Sequence, residues 1–146
     1  MKRYFLFFFA LTFLFSCRAD LEKGDKVALQ CETGKFLSAD RHKRDKVIGD
    51  RKDIGRWELF NIAEKVGNQL EITDFENSSL FVENDTMKRG KGKGKILLQI
   101  EKKGHRNYLK ETTTGLYLKV KNDITYLSKS KGVILHRLPR KNIFGG

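Results

Sequence analysis

The chain has 146 residues, and its 30 Lys and Arg against 18 Asp and Glu give a formal net charge of +12. This length suits one domain with its own hydrophobic core and leaves no room for two. The basic excess favours anionic partners such as acidic glycans, lipid headgroups, nucleic acid or acidic proteins. Solubility of the surface is the alternative explanation for the same charge.

The N-terminal segment is a short apolar stretch between basic residues and a cysteine. Met1-Lys2-Arg3 precedes an apolar run from Tyr4 to Phe15, and Ser16 then precedes Cys17. A helix of about a dozen residues spans about 18 Å, well short of the roughly 30 Å hydrocarbon core, which argues against a membrane span. The segment is typical of an export signal.

The end of this segment, Leu14-Phe15-Ser16-Cys17, resembles the lipobox of bacterial lipoproteins. The resemblance implies that a peptidase cuts before Cys17 and that this cysteine carries acyl chains such as palmitate, which anchor the protein in a membrane. We therefore expect a signal peptide over residues 1–16, a lipidated cysteine and tether over 17–24, and a folded domain over 25–142.

The residue after the cysteine and the remaining charge bear on location and partners. Arg18 stands where the inner-membrane retention signal of enteric bacteria has Asp, so we expect the outer membrane or the cell surface. Removal of Lys2 and Arg3 with the signal leaves 28 basic and 18 acidic residues, an excess of 10. An exported, anchored protein seldom meets nucleic acid, so we expect no binding to nucleic acid. We also expect a monomer.

Cysteine and histidine are too sparse for a disulfide or a metal site. With Cys17 acylated, Cys31 stands alone, and one thiol builds neither. Alternation over Val27-Ala28-Leu29-Gln30-Cys31 places Cys31 on an apolar face, which favours a small buried side chain over a nucleophile. The three histidines lack the spacing of metal ligands, so we expect no metal and no cofactor.

Beyond the tether the sequence is typical of an all-β domain. Short apolar segments alternate with polar turns, and no long stretch has the 3.6-residue period of a helix. Alternation such as Leu116, Leu118 and Val120 indicates strands with one buried and one wet face. The predicted strands are Lys26–Cys31, Lys35–Ala39, Lys46–Gly49, Arg56–Ile62, Gln69–Thr73, Ser79–Glu83, Lys95–Ile100, Asn107–Lys110, Leu116–Lys121, Ile124–Leu127 and Val133–Leu138.

Two phrases recur three times along the chain. The first combines small polar residues with an aromatic and an aliphatic residue, and it occurs at Thr33–Leu37, Ser78–Val82 and Thr114–Leu118. The second occurs at Gly55–Ile62, Gly94–Ile100 and Gly132–Leu138. Units of about 40 residues with about four short strands each indicate a repeat architecture closed around a threefold axis.

The repeats predict which residues are equivalent and which are buried. Phe36, Phe81 and Tyr117, spaced by 45 and 36 residues, should occupy equivalent positions, and so should the core residues Leu37, Val82 and Leu118. Trp57 is expected in the core because its repeat counterparts are aliphatic. The residues expected to be buried are Leu29, Leu37, Phe60, Ile62, Leu70, Ile72, Leu80, Val82, Leu98, Ile100, Leu116, Leu118, Ile134 and Leu138.

The repeats also resemble known families. Val27–Ala39 and Gly55–Phe60 resemble the repeat of fascin-type β-trefoils, and Gly115–Pro139 is similar to the final repeat of fibroblast growth factors, another β-trefoil family. The resemblance covers residues 26–140 and implies an all-β β-trefoil. It is a poor guide to activity, because trefoils bind actin, heparin, sugars, receptors and proteases alike. The middle unit departs from the pattern, since Lys88–Lys95 replaces its third strand.

Three basic clusters are candidate binding sites. The run Lys88–Lys95 predicts an exposed, mobile loop, since like charges and glycine disfavour packing. A second cluster, Arg41–Lys46, is partly neutralised by three acids, Asp45, Asp50 and Asp53. The third, near the C-terminus, lies where the resembling growth factors hold heparin-binding lysines, and it comprises Lys129, Lys131, Arg137, Arg140 and Lys141. The residues we select for polyanion binding are Lys88, Arg89, Lys91, Lys93, Lys95, Lys129 and Lys131.

These observations predict a lipid-anchored, non-catalytic envelope protein that binds an anionic glycan, or another polyanionic or host ligand, through basic loops. No nucleophile has an adjacent base in a recognisable motif, which argues against an enzyme. A fascin-like protein-interaction module of the envelope and a protease inhibitor are the alternatives. For each basic cluster, a solvated surface that binds nothing is the simpler alternative.

Overall fold

The structure is a computed structural model, and it describes residues 20–40, 42, 45–91 and 94–140. The expected signal peptide and the expected lipid site at Cys17 lie outside these residues. Within them, no helix is long and apolar enough to cross a membrane. The described residues form twelve strands: β1 Lys26–Gln30, β2 Phe36–Ser38, β3 Ile48–Arg51, β4 Phe60–Val66, β5 Gln69–Thr73, β6 Ser79–Glu83, β7 Thr86–Gly90, β8 Leu97–Lys103, β9 Arg106–Glu111, β10 Tyr117–Lys121, β11 Ile124–Ser128 and β12 Ile134–Arg137.

Six of the strands close into an antiparallel ring. β4 lies between β1 and β5, β8 between β5 and β9, and β12 between β9 and β1. Every strand of this barrel therefore has two neighbours, which removes the free edges that an open sheet would expose.

The other six strands form three hairpins, β2–β3, β6–β7 and β10–β11. All three leave the same edge of the ring, because they follow β1, β5 and β9. They also pair with one another, through Ile124 with Ile48, Tyr126 with Thr86, and a bridge between Lys46 and Lys88. We call these hairpins the hairpin layer. The opposite edge of the ring, with the β4–β5 and β8–β9 turns, the start of β1 and the end of β12, is the open end.

The threefold repeat is confirmed in outline, but its register in the middle unit is two residues from the prediction. The first residue of each hairpin pairs with a ring strand, as Phe36 with Gln30, Ser79 with Thr73 and Tyr117 with Lys110. Ser79 is therefore the counterpart of Phe36 and Tyr117, and the prediction of Phe81 is wrong. Leu37, Leu80 and Leu118 follow, and all three are fully buried, so Leu80 takes the place predicted for Val82.

The turn before each hairpin explains the shift. Gly34, Asn77 and Gly115 all have a positive φ, at 88°, 61° and 73°. Asparagine tolerates this left-handed conformation better than most residues, so Asn77 replaces the glycine that marks the other two turns. Aligning the units on these turns gives the observed register.

The core lies inside the ring and beneath the hairpin layer, and most of the predicted core residues are in it. Val82, Ile100 and Leu116 are only partly buried against it. In β12 the predicted phase is wrong: Val133 and Leu135 are buried, whereas Ile134 and Leu138 are half-buried. Three consecutive aliphatic residues, Val133-Ile134-Leu135, leave the phase of a strand undecided. Residues predicted to be buried and found so are Leu29, Leu37, Phe60, Ile62, Leu70, Ile72, Leu80, Leu98 and Leu118.

Strand β7 was not predicted. It pairs along its whole length with β6, and Met87 is buried in the core. The two strands are joined by Asn84-Asp85, both with positive φ, as Asn122-Asp123 joins β10 to β11. Two such residues are the signature of the tight hairpin turn whose twist matches that of the strands. The repeated Asn-Asp pair is the sequence signal for this missed strand.

The described chain begins at the open end. Leu21, which the sequence assigned to the tether, is 5% exposed and belongs to the core cluster. Arg137 and Arg140 donate to the carbonyl oxygen of Asp20 at 3.3 and 3.4 Å. The packed domain thus includes Asp20 and Leu21, which lie within the span predicted for the tether.

Candidate functional site

The first part of the run Lys88–Lys95 is not the free cationic loop that the sequence predicts. Lys88 and Arg89 belong to β7, and both side chains pair with acids. Lys88 Nζ lies 3.0 Å from Glu83 Oε1 and 3.7 Å from Asp45 Oδ2. The hydrogen bond that Lys88 donates to Glu83, with the charges of Glu83 and Asp45, holds the pKa of Lys88 above its ordinary value against a smaller effect of burial.

Arg89 is the most enclosed of the cations that the structure describes in the run. Its side chain is 13% exposed, and Nε donates to Asp74, whose side chain is 1% exposed. Nη2 lies 3.3 Å from Glu76 Oε1 and 3.2 Å from Ser78 Oγ. A guanidinium committed to this many acceptors has a structural role, and a ligand would have to compete with them.

The rest of the run is divided. Lys95 Nζ donates to Glu71 Oε2 at 2.9 Å. Lys91 is exposed, and no carboxylate of the described residues lies within 4 Å of it. Lys93 lies outside the part of the chain that the structure describes. The prediction of a mobile loop is wrong for Lys88–Gly90, which belong to β7, because a long-range partner that the local pattern does not show fixes Arg89.

In the second basic cluster and its surroundings, the described acids Asp40 and Asp50 pair with His42 and Arg51, whereas Asp45 pairs with Lys88. Asp40 accepts from His42 Nδ1 at 2.9 Å and from Arg51 Nη2 at 3.1 Å. A backbone hydrogen bond from His42, followed by its ring and the charge of Arg51, holds the pKa of Asp40 below its ordinary value despite burial. Asp50 lies 3.4 Å from Arg51. Arg41, Lys43 and Arg44 lie outside the described residues.

The third cluster separates into two places. Arg140 turns to the open end, where Nε and Nη2 donate to Asp25 at 2.7 and 3.0 Å, and Lys141 lies outside the described residues. Lys131 instead lies over two aromatic rings, with Nζ 5.8 Å from the centre of Tyr108 and 5.5 Å from that of Tyr117. Lys129, on the same turn, is exposed.

A carboxylate anchors this arrangement. The hydroxyl of Tyr117 donates to Glu101 Oε2 at 2.5 Å, and Lys131 Nζ lies 3.5 Å from the same oxygen. The Tyr117 hydrogen bond holds the pKa of Glu101 below its ordinary value, opposed by desolvation and aided by the charges of Lys131 and Lys110. Burial is the largest single effect on the pKa of Lys131 and lowers it, but the charges of Glu101 and Tyr117 and the hydrogen bond to Glu101 act together to make the net shift upward. Both groups are therefore charged at neutral pH.

A cavity of about 430 Å³ lies beside this cluster on the outer wall of the barrel. Tyr108 and Lys131 form part of its lining, and Arg106, an exposed residue without a carboxylate of the described residues within 4 Å, forms another part. Gln30 lines it too and is fixed by a 2.7 Å hydrogen bond between its Oε1 and His136 Nε2. Glu32 is the acidic residue of the lining, and it lies 3.4 Å from Lys119. We call this cavity, with Tyr117 and Glu101 behind it, the Lys131 site.

The fold alone assembles the Lys131 site. Glu101 pairs across strands with Tyr108, Tyr108 with Ile134, and Ile134 with Gln30, so one row crosses β8, β9, β12 and β1. The sequence predicts Lys131 as a site residue but does not indicate Tyr108, Tyr117 or Arg106. Tyr117 was assigned only a place in the repeat, and the register of β9 against β12 was not available from the pattern.

Trp57 lies at the surface and not in the core. It is half-buried in the 3-10 turn Arg56–Glu58, with its ring edge-on to Phe75 at 6.2 Å. The guanidinium carbon of Arg56 lies 5.9 Å from the Trp57 ring and 5.1 Å from the Phe75 ring. The prediction fails because β4 begins only at Phe60, which takes the core position. Cys31, in contrast, is buried as predicted.

Comparison with known proteins bears on the fold. No protein-family model matches the chain, and no curated protein matches it. A crystal structure of a designed 3-fold symmetric protein, ThreeFoil, matches with a TM-score of 0.56 and 18% identity, over 80% of this chain and 90% of that one. The fold is trefoil-like. At this identity the likeness extends to the fold and not to a function.

Proposed function

We propose that this protein is a lipid-anchored, non-catalytic binding protein of the bacterial cell envelope, and that it binds an anionic glycan at the Lys131 site. In this proposal the domain is a β-trefoil, residues 1–16 are a signal peptide and Cys17 carries the acyl chains. The observation that most directly supports an anionic ligand is the position of Lys131 over Tyr108 and Tyr117. It lies beside a cavity that Arg106 also lines.

The chemistry of the lining supports an acidic sugar. An ammonium group has three donors, and the 3.5 Å contact with Glu101 leaves donors of Lys131 for a ligand. Arg106 adds a planar guanidinium suited to sulfate or carboxylate. Tyr108 offers an aromatic surface, and Gln30 a neutral polar group that can fix orientation. Aromatic walls with a few convergent polar groups are typical of small-ligand sites.

Other selected cations have secondary roles in the proposal. Lys129 adjoins Lys131 on its turn and extends the positive surface along a polymer. Lys91, just after β7, has no carboxylate of the described residues within 4 Å, whereas Lys88, Arg89 and Lys95 would have to exchange acidic partners for ligand. The Lys131 site therefore supplies the specificity, and the scattered cations supply general attraction.

Heparin affinity chromatography of the mature protein in detergent tests the ligand class and the site. Arg106→Gln with Lys131→Gln should elute at clearly lower salt than the wild type. The control pair, Lys52→Gln with Lys121→Gln, removes the same charge from exposed positions outside the cavity lining and should elute close to the wild type.

Two outcomes would contradict the proposal. A wild-type protein that passes through heparin at low ionic strength and ignores anionic glycans binds no polyanion. Equal shifts in the two pairs of variants would mean that net charge, and not the Lys131 site, determines retention. Binding to a protein partner with weak salt dependence would favour the protein-interaction alternative, because polyanion binding weakens steeply with salt through counterion release.

A further inference from the structure

The open end of the barrel combines the first described residues with a set of cations that have no carboxylate partner among the described residues. Its two turns are Val66–Gln69, between β4 and β5, and Lys103–Arg106, between β8 and β9. Asp20, Leu21, Lys65 and Lys102 line a common cavity of about 300 Å³ at this end. The start of the described chain therefore lies between the two turns.

The charges at this end are of two kinds. The acids are mostly paired within the domain: Glu64 with Lys23 at 2.6 Å, and Asp25 and Glu22 with Arg140. Asp20 is an exposed acid whose carboxylate has no ion pair with a described residue. Six cations have no carboxylate of the described residues within 4 Å, namely Lys26, Lys65, Lys102, Lys103, Arg106 and Arg137. Two of them donate to neutral oxygens, Lys26 to the Asn61 side chain and Arg137 to the Asp20 carbonyl. The free charge of this end is thus positive.

An exposed apolar side chain lies at the same end, next to one of these cations. Val66, next to Lys65 at the β4–β5 turn, is 76% exposed and is the most exposed of the large hydrophobic residues described. A bulky apolar residue that is flanked by lysine suits the interface between water and lipid headgroups.

The chain from Cys17 to Asp20 is short, and Asp20 is held by the folded domain. Three residue steps separate Cys17 from Asp20, so the chain between them spans at most about 11 Å. Asp20 is held by Arg137 and Arg140, and Leu21 is packed in the core. An acyl chain on Cys17 therefore keeps the open end, and not the hairpin layer, next to the bilayer.

We propose that the open end is a membrane-facing surface, on which Lys65, Lys102 and Lys103 contact anionic phospholipid headgroups while Val66 enters the interface. The inference rests on the proposed lipid anchor at Cys17. It fixes the orientation of the domain: the hairpin layer points away from the bilayer, and the Lys131 site lies on the side wall. Each lysine near an anionic surface contributes about fivefold to the bound population.

Fluorescence quenching on vesicles tests this orientation. The mature lipidated protein, labelled at Val66→Cys or at Lys121→Cys in the hairpin layer, is bound to vesicles of phosphatidylcholine with phosphatidylglycerol and a headgroup spin label. Cys31 is buried and should react little with the label, so wild type taken through the same labelling reaction provides the background. The label at residue 66 should lose much more fluorescence than the label at residue 121.

Charge variants then test the lysines. Lys65→Gln, Lys102→Gln and Lys103→Gln together should reduce quenching at residue 66 to the level seen on phosphatidylcholine alone. Lys46→Gln, Lys52→Gln and Lys121→Gln remove equal charge from elsewhere and should leave it unchanged.

Flotation of the protein with the vesicles separates the test of the lipid anchor from the test of the orientation. Equal quenching at residues 66 and 121 in protein that floats with the vesicles would overturn the orientation and leave the anchor in place. Protein that does not float would overturn the anchor and the orientation with it. Equal effects of the two triple variants would show that the named lysines do not contact the headgroups.

Discussion

Arg89 and Asp74 form an ion pair that joins β7 to the turn before β6. Asp74 is 1% exposed, and it also accepts the backbone hydrogens of Glu76 and Ser78 at 2.9 and 2.7 Å. Arg89→Ala leaves this buried carboxylate without its cation and should lower the free energy of unfolding by about 1.5–3 kcal/mol. Denaturant unfolding measures the change. Lys91→Ala, two residues away and exposed, should stay within about 0.5 kcal/mol, and equal effects would contradict the structural role of Arg89.

The register of the middle unit predicts different costs at neighbouring core positions. Leu80 is fully buried, so Leu80→Ala should lower the free energy of unfolding by about 2–5 kcal/mol. Val82 is only partly buried against the core, and Val82→Ala should cost clearly less. Chemical denaturation of both variants checks the register, which would be wrong if Val82→Ala were the more damaging change.

The left-handed conformation of Asn77 predicts which substitutions the turn accepts. At φ 61°, glycine is unstrained, whereas a β-branched residue pays about 1–2 kcal/mol. Asn77→Val should therefore be less stable than Asn77→Gly by at least this amount. Both variants lose the 3.3 Å hydrogen bond from Asn61 Nδ2, so the difference in their thermal or denaturant stability isolates the backbone term. Equal stability would argue against the left-handed turn.

The pair of Asp25 and Arg140 predicts a loss of stability in acid. Hydrogen bonds from Arg140 hold the pKa of Asp25 below its ordinary value, with burial opposing them. A carboxyl with a lowered folded pKa stabilises the protein above the unfolded value of about 3.9, and this contribution is lost as pH falls through the folded pKa. The wild type should exceed Asp25→Asn in unfolding free energy at neutral pH, and the gap should shrink below about pH 4. A gap that is constant down to strong acid would contradict the paired carboxylate.

The fold was largely predictable because its signals are local. Alternation along Leu116–Val120 and the recurring phrases indicated an all-β chain of three units, and the turn at Gly115 marks one of them. Strand β7 was missed because its last residues, Lys88-Arg89-Gly90, continue into a run of lysine and glycine that resembles a loop. It is held by Arg89 reaching Asp74, 15 residues earlier in the chain, and by burial of Met87.

The candidate site was less predictable because it depends on pairing between distant strands. Lys131 was selected for its charge and its place near the C-terminus. Its partners Glu101, Tyr108 and Tyr117 come from three different strands, β8, β9 and β10. The register of those strands brings them together. A pattern that alternates with period two states which residues share a face but not which strand lies beside it.

The salt dependence of glycan binding tests the central claim most directly. A heparin-derived oligosaccharide is titrated into the mature protein in detergent at increasing sodium chloride. The proposed binding at the Lys131 site predicts saturable binding at low ionic strength, with the logarithm of the affinity falling steadily with the logarithm of salt concentration. Arg106→Gln with Lys131→Gln should weaken the binding and flatten this slope. Absence of saturable binding at low salt, or an affinity that does not change with salt, would contradict the proposal.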